Sequence, residues 1–234
     1  MKRHLVIVGT FAFALLGLAC VLPGCSREPS LYQAVMDDDV ISIKKCSKRG
    51  VNLNQKYMNG LTPLLVAIEN NKFDAFQTLL ERGADPNKLV LNGVSVMHET
   101  ASLQDAKWLK LALKHGGNPN LVNTGNHQHA KSTPIFYALW ARSSECVSVL
   151  VEAKANLDWK KKDDDIPLIV ALGHNRYDFV LLFLEAGADY NQLWTPTQTL
   201  VSAVKIRTPD MCSDDEQRMY QAKVKQWLKD HGAL

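Results

Sequence analysis

Apolar residues in this chain fall on a helical period, in short pairs. Between Asn59 and Asn87, Leu64, Leu65, Ala67 and Ile68 form one apolar face, and Phe73, Phe76, Leu79 and Leu80 form another after a polar break. The spacing predicts two short antiparallel helices. Thr62 is placed to cap the first with its hydroxyl, and Pro63 suits the first helical position, where its missing N–H would be unpaired anyway. Gly83 supplies the left-handed residue that ends the second. Such a pair cannot bury both faces alone, so the pattern is expected to recur.

It recurs through the rest of the chain. The turn after each second helix reads Gly50-Val51-Asn52-Leu53-Asn54, Gly83-Ala84-Asp85-Pro86-Asn87, Gly116-Gly117-Asn118-Pro119-Asn120, Lys154-Ala155-Asn156-Leu157-Asp158 and Gly187-Ala188-Asp189-Tyr190-Asn191, followed by Gly232-Ala233-Leu234. The steps between them are 33, 33, 38, 33 and 45 residues. First helices are expected around Leu31–Val35, Leu64–Ile68, Met97–Ala101, Ile135–Leu139, Leu168–Leu172 and Leu200–Val204. Second helices are expected at Ile41–Cys46, Phe73–Leu80, Ala106–Leu113, Glu145–Val151, Tyr177–Leu184 and Tyr220–Leu228.

A period of about 33 residues with Thr-Pro-Leu starts and Gly-Ala-Asp-x-Asn turns resembles the ankyrin repeat. The resemblance covers Ser30 to Leu234 and implies an all-α solenoid of about six helix-pair repeats with atypical ends. Small Ala recurs at Ala34, Ala67, Ala138, Ala171 and Ala203, where neighbouring helices approach closely; Thr100 in the third repeat predicts looser packing. The motif's histidine survives only at His98 and is expected to bond a neighbouring backbone group, not to act as a ligand or base. Two insertions break the period. Five extra residues lie within Thr124–Ser132 in one finger loop, and twelve lie around Thr208–Glu216 between the helices of the last repeat.

The N-terminus follows a different rule. Lys2 and Arg3 precede an apolar run from Leu5 to Gly24, a secretory signal pattern. Leu22-Pro23-Gly24-Cys25 resembles the lipobox of bacterial lipoproteins, which implies a diacylglycerol on the Cys25 thiol and an acyl chain on its amine. Cys20 is the competing lipidation site, and an uncleaved anchor is the competing reading of the run. The expected organisation is a signal peptide over 1–24, a short lipidated tether over 25–30 and a repeat domain over 31–234. Ser26 is not the Asp that retains a lipoprotein in the inner membrane, so the expected location is the periplasm, attached to the outer membrane.

Composition narrows the chemistry. Apolar residues are 46% of the chain, charged residues 22% and the formal net charge is +3, a globular balance without the basic stripe of a nucleic-acid binder. Cys46, Cys146 and Cys212 are repeats apart and are expected to be reduced and mostly buried. His127-x-His129 lacks the third ligand that a zinc site needs. Lys160–Asp165, three Lys followed by three Asp, and Asp37-Asp38-Asp39 read as solvated turns, the former with an electrostatic docking role as the alternative. No phosphate loop, paired acid–base carboxylates or nucleophile–base spacing is present, so no enzyme activity, cofactor or metal is expected.

Function should then reside in a binding face. Position by position, the family resemblance implies a concave face holding Met58, Leu61, Glu69, Leu91, Val94, Leu103, Trp140, Lys162, Asp163, Asp165, His174, Trp194 and Lys205, with Trp159 close by at the base of the fourth turn. Exposed apolar patches mark interaction sites, and Trp is enriched among binding hot spots. An ankyrin solenoid behind a lipoprotein signal resembles the immunity proteins paired with type VI secretion phospholipase effectors. That resemblance implies a protein toxin as partner. The alternative is a periplasmic scaffold for an envelope enzyme, for instance an antioxidant one.

Overall fold

The computed structural model describes residues 29–90, 93–125, 130–161, 165–195, 198–207 and 214–234. Among these described residues, twelve helices occur in six pairs: α1 Leu31–Met36 and α2 Val40–Lys48, α3 Pro63–Glu69 and α4 Phe73–Glu81, α5 Val96–Ala101 and α6 Lys107–Lys114, α7 Pro134–Ala141 and α8 Ser144–Glu152, α9 Pro167–Gly173 and α10 Tyr177–Glu185, α11 Leu200–Ile206 and α12 Asp215–Asp230. A two-stranded antiparallel ribbon, β1 Leu193–Thr195 with β2 Gln198–Thr199, leads into α11 and carries a bulge in its short register. No described helix is long and apolar enough to cross a membrane.

The pairs stack in sequence order. First helices α1, α3, α5, α7 and α9 pack in one row, and second helices α2, α4, α6, α8, α10 and α12 in another. The sequence dictates this. Each first helix turns its small residue, Ala34, Ala67, Thr100, Ala138, Ala171 or Ala203, wholly out of solvent. Between the rows lie the largest buried side chains, among them Phe76, Met97, Leu109, Phe136, Leu150, Tyr177 and Phe183. Thr100 does not loosen the stack. It is fully buried and its hydroxyl turns back to the Val96 carbonyl at 2.8 Å, so the extra polar atom is satisfied within its own helix.

Nine of the described helix starts use one of two devices; α4, α6 and α10 have neither. Ser30, Asp39, Ser95, Ser143, Thr199 and Asp214 cap through their side chains. Thr62 and Thr133 do not: each is buried with its hydroxyl unpartnered. The expected Thr62 hydroxyl cap is therefore replaced by the fixed φ of Pro63 at the first helical position.

The second helices end on a left-handed residue. Gly50, Gly83, Gly116, Gly187 and Gly232 have φ between +69° and +90°, and Lys154 takes the same position at φ 61°. Beyond it, the turns are tied into a rail. Asn54 accepts the Asp85 N–H at 2.7 Å, Asn87 that of Asn118 at 2.7 Å, Asn120 that of Asn156 at 2.6 Å and Asp158 that of Asp189 at 3.0 Å. Each bond crosses one repeat, so the rail fixes the spacing of the stack.

The ends of both insertions are described. Asn123 closes the base of the long finger loop: its N–H donates to the Ser132 carbonyl, and its side-chain oxygen accepts the Ser132 N–H, both at 3.0 Å. His127 and His129 lie outside the described residues. In the last repeat, α12 begins at Asp215, five residues before the expected Tyr220. Asp214 accepts the Gln217 N–H at 2.8 Å, so an acidic cap turns part of the expected loop into helix. Cys46 and Cys146 are buried free thiols; Cys212 lies outside the described residues, as does Cys25.

Candidate functional site

The loop between one repeat's turn and the next first helix is a finger, and the described parts of the fingers and the first-helix ends make the edge on which the expected residues fall. Adjacent fingers touch: the Thr124 N–H donates to the Gly93 carbonyl at 2.9 Å. Gly93 has φ 70°, and a Cβ there would collide with the Gly125 backbone, so only glycine allows the contact.

Along that edge the expected residues separate into three groups. Met58 is fully exposed and, with Tyr32, Tyr57 and Asn59, lines an apolar cavity of about 340 Å³. Tyr32 and Tyr57 meet edge to face at 4.9 Å, and burial pushes the Tyr57 hydroxyl up to about 12. Glu69 and Lys205 are exposed, and His174 is half-buried at the end of α9. Burial, then the charges of Arg142 and Arg176, lowers the His174 pKa.

A second group is partly committed to the fold. Leu61, Leu103, Trp140 and Trp159 are half-buried against the core. Trp140 stands beside Tyr137, with ring centroids 5.4 Å apart, and beside Phe136 at 5.9 Å. The Trp159 indole N–H donates to the Lys131 carbonyl at 2.7 Å, so this ring braces the base of the long finger. Asp165 pairs with Lys161 at 2.9 Å across its own finger. Val94 has to be withdrawn as a contact residue. It is buried at 9% exposure, and its carbonyl accepts the Val90 N–H at 2.9 Å, which closes the finger turn and aims the side chain at the core.

The third group, Leu91, Lys162 and Asp163, lies outside the described residues; for Trp194, on β1, only the backbone is described.

Two residues near this edge escape a reading of exposed positions. Glu99 and Tyr137 occupy the register held by Val66 and Val170 in other repeats. Burial, and secondarily the charge of Glu69, raises the Glu99 pKa. Burial also raises Tyr137, whose hydroxyl accepts from the Asn123 amide at 2.8 Å. Polar residues at a valine register were the available signal. The result is a strip of Glu69, Glu99, Tyr137 and Trp140, acidic at one end and aromatic at the other.

His98 serves the scaffold. Its Nδ1 receives the Ser95 N–H at 3.1 Å in a capping box, and its ring meets Tyr137 at 5.0 Å. The ring is wholly buried, and Nε2 faces the Leu121 and Ser132 backbone without a partner at hydrogen-bond geometry. Desolvation lowers its pKa to about 4, leaving it neutral. The Cys146 thiol donates to the Leu103 carbonyl at 3.2 Å, and burial raises its pKa, which makes it inert. No group of three or more metal-ligating side chains occurs among the described residues.

The sequence matches the family description "Ankyrin repeats (3 copies)" over residues 97–193 and "Ankyrin repeat" over 59–89, together more than half of the chain. The chain belongs to the ankyrin-repeat family. Among its relatives, Protein PhlB of Serratia liquefaciens is 33% identical over 149 residues, 63% of each protein. The putative ankyrin repeat protein FPV222 of fowlpox virus is 28% identical over 151 residues, 64% of this chain but 19% of the viral protein. The chain thus spans about a fifth of that relative and, likewise, 20% of the Hydra vulgaris tyrosine-protein kinase HTK16. In three dimensions the human ASB11 ankyrin repeat domain superposes with TM-score 0.59 at 24% identity, covering 83% of both chains, a likeness of fold alone. Ankyrin repeats are a protein–protein interaction module, and that is the role of this solenoid.

Proposed function

We propose that this solenoid is a non-catalytic immunity protein of the bacterial envelope, which binds and inhibits a type VI secretion toxin of the phospholipase class. The observation carrying the binding role is the finger edge, where Met58 and the Glu69–Glu99–Tyr137–Trp140 strip offer apolar, aromatic and charged anchors on a preformed surface. The envelope assignment rests on Leu22-Pro23-Gly24-Cys25 behind the apolar run, which delivers the domain as a lipoprotein to the periplasmic side of the outer membrane. A neutralising partner needs an interface of roughly 1,600 Å², so it would have to span several adjacent fingers. The chemistry of inhibition is occlusion: a rigid edge covers the toxin's active-site mouth and excludes substrate.

The test is isolation of the chain from periplasm of its own host and identification of what it holds. A secreted phospholipase that loses activity at one-to-one stoichiometry supports the proposal. A bound phospholipase that stays fully active, or an envelope enzyme such as an antioxidant catalyst in its place, overturns the immunity role.

A further inference from the structure

One stretch of the binding edge carries charge that the fold itself does not need. Glu99 stands on α5 where other first helices have Val66 and Val170, and Glu69 ends α3 one turn beyond Val66. Helices α3, α5 and α7 are consecutive in the first-helix row. In the register of Glu99, α7 places Tyr137; in the register of Glu69 it places Trp140. Between Glu69 and Trp140 that second register falls on Ser102, a small residue whose hydroxyl is turned to the Glu99 carbonyl at 2.7 Å. Two carboxylates and two aromatic rings thus frame a short side chain.

The carboxylates are uncompensated. Among the described residues neither side chain has a hydrogen bond or an ion pair, and no cation lowers the pKa of either. Burial raises both, and the Glu69 charge raises Glu99 further. Holding an unpaired carboxylate half out of water costs free energy, which a valine at the same position does not. The rings, by contrast, are held in place. The Tyr137 hydroxyl accepts the Asn123 amide at 2.8 Å, and its ring meets His98 at 5.0 Å and Trp140 at 5.4 Å. A fixed aromatic pair beside two carboxylates suits a planar cation. A guanidinium stacks on a ring, donates paired N–H bonds to a carboxylate and gives up its water more readily than an ammonium does.

We infer that this strip receives an arginine side chain of the protein partner, its guanidinium over the Tyr137–Trp140 pair and paired with Glu99 and Glu69. The inference rests on the binding role of the edge proposed above and deepens it, because it names a residue that the partner has to present. A partner with an acidic or apolar residue at that point is disfavoured, so the strip selects as well as holds.

The test needs no toxin. The full chain, held in neutral detergent, is mixed with the N-acetyl amides of arginine, lysine, norleucine and glutamate, and contact is read on each small molecule by saturation-transfer NMR. Transfer to the arginine compound is expected to exceed that to the norleucine and glutamate compounds about fivefold, and Glu69→Gln/Glu99→Gln should weaken its binding about tenfold. Glu81→Gln/Glu185→Gln removes the same charge from the second helices and should leave binding within about twofold. Glu99→Val should also lose binding while melting at or above the wild-type temperature, since valine fills that register in other repeats, so loss of binding is not loss of fold. Equal transfer to the arginine and norleucine compounds, equal transfer to the arginine and lysine compounds, or equal loss in both glutamine pairs overturns the inference. It fails separately from the immunity reading. A phospholipase still inhibited in full by the Glu69→Gln/Glu99→Gln chain removes the arginine contact and leaves immunity standing; glutamate-dependent arginine binding by a chain that holds no toxin does the reverse.

Discussion

Asn87 holds the next repeat with both ends of its carboxamide: its oxygen accepts the Asn118 N–H at 2.7 Å and its amide donates to the Gly116 carbonyl at 2.9 Å. Removing both bonds at a half-buried site should cost about 1–2 kcal/mol. Asn87→Ala is therefore expected to lower the urea midpoint, and Asn87→Asp, which keeps only the acceptor, to lower it less. Equal midpoints for wild type and the alanine variant would mean that the rail does not secure the stack.

Lys154 occupies the left-handed position that glycine fills in the other turns. A side chain there costs roughly 1–2 kcal/mol, while glycine's greater freedom in the unfolded chain takes back roughly 0.5–1 kcal/mol. Lys154→Gly should raise stability by about 0.5–1 kcal/mol, visible as a higher melting temperature. A lower one would show that the lysine side chain makes a contact worth more than the strain.

His98 makes stability depend on pH. Its folded pKa of about 4 lies below its ordinary value of 6.5. Above pH 6.5 both states are neutral and its contribution is complete. As pH falls, the unfolded chain takes a proton that the folded one refuses, so stability drops, by up to about 3 kcal/mol near pH 4. Glu99 works the other way, because its raised pKa makes the folded state the better proton acceptor as pH falls. The His98 share is isolated by comparison with His98→Gln: the stability gap between wild type and variant should narrow from pH 6.5 to 4.5 in chemical denaturation. A constant gap would place the His98 pKa near its ordinary value.

Trp140 and Trp159 should separate binding from folding. Trp159 loses a hydrogen bond and a brace if truncated, so Trp159→Ala is expected to lower the melting temperature. Trp140→Ala should weaken partner affinity by more than about 1 kcal/mol with a smaller thermal effect, read by calorimetry against the isolated partner. A partner bound equally well by both variants would move the contact away from the long finger.

The solenoid was legible in the sequence because every repeat must solve the same packing problem with the same residues. Ala at the helix–helix approach, Gly at the left-handed stop and Asn on the rail are each set by local geometry, so the period and most helix bounds follow from spacing, α12 with its Asp214 cap being the exception. The caps were less legible: Thr62 and Ser95 share a register, yet only Ser95 bonds, because no proline follows it and His98 completes the box. The face was legible only in part. Position on a first helix says which residues lie near the edge, but not how each finger folds over them. Val94 turned inward with its finger turn, and Trp159 turned under the neighbouring loop. Glu99 and Tyr137 were hidden for the opposite reason, as burial was expected where valine stands in other repeats.

The Asn123–Ser132 clasp ties the two ends of the long finger together through two hydrogen bonds. The other contacts that hold the finger, Thr124 on Gly93 and Lys131 on Trp159, lie next to this clasp, and residues 126–129 between them are the ones to exchange, with α7 and the rail expected to stay in place. The fold thus contains a grafting point: one loop can be rewritten while the framework stays as it is. Transplanting that loop between homologues is the natural route to altered recognition.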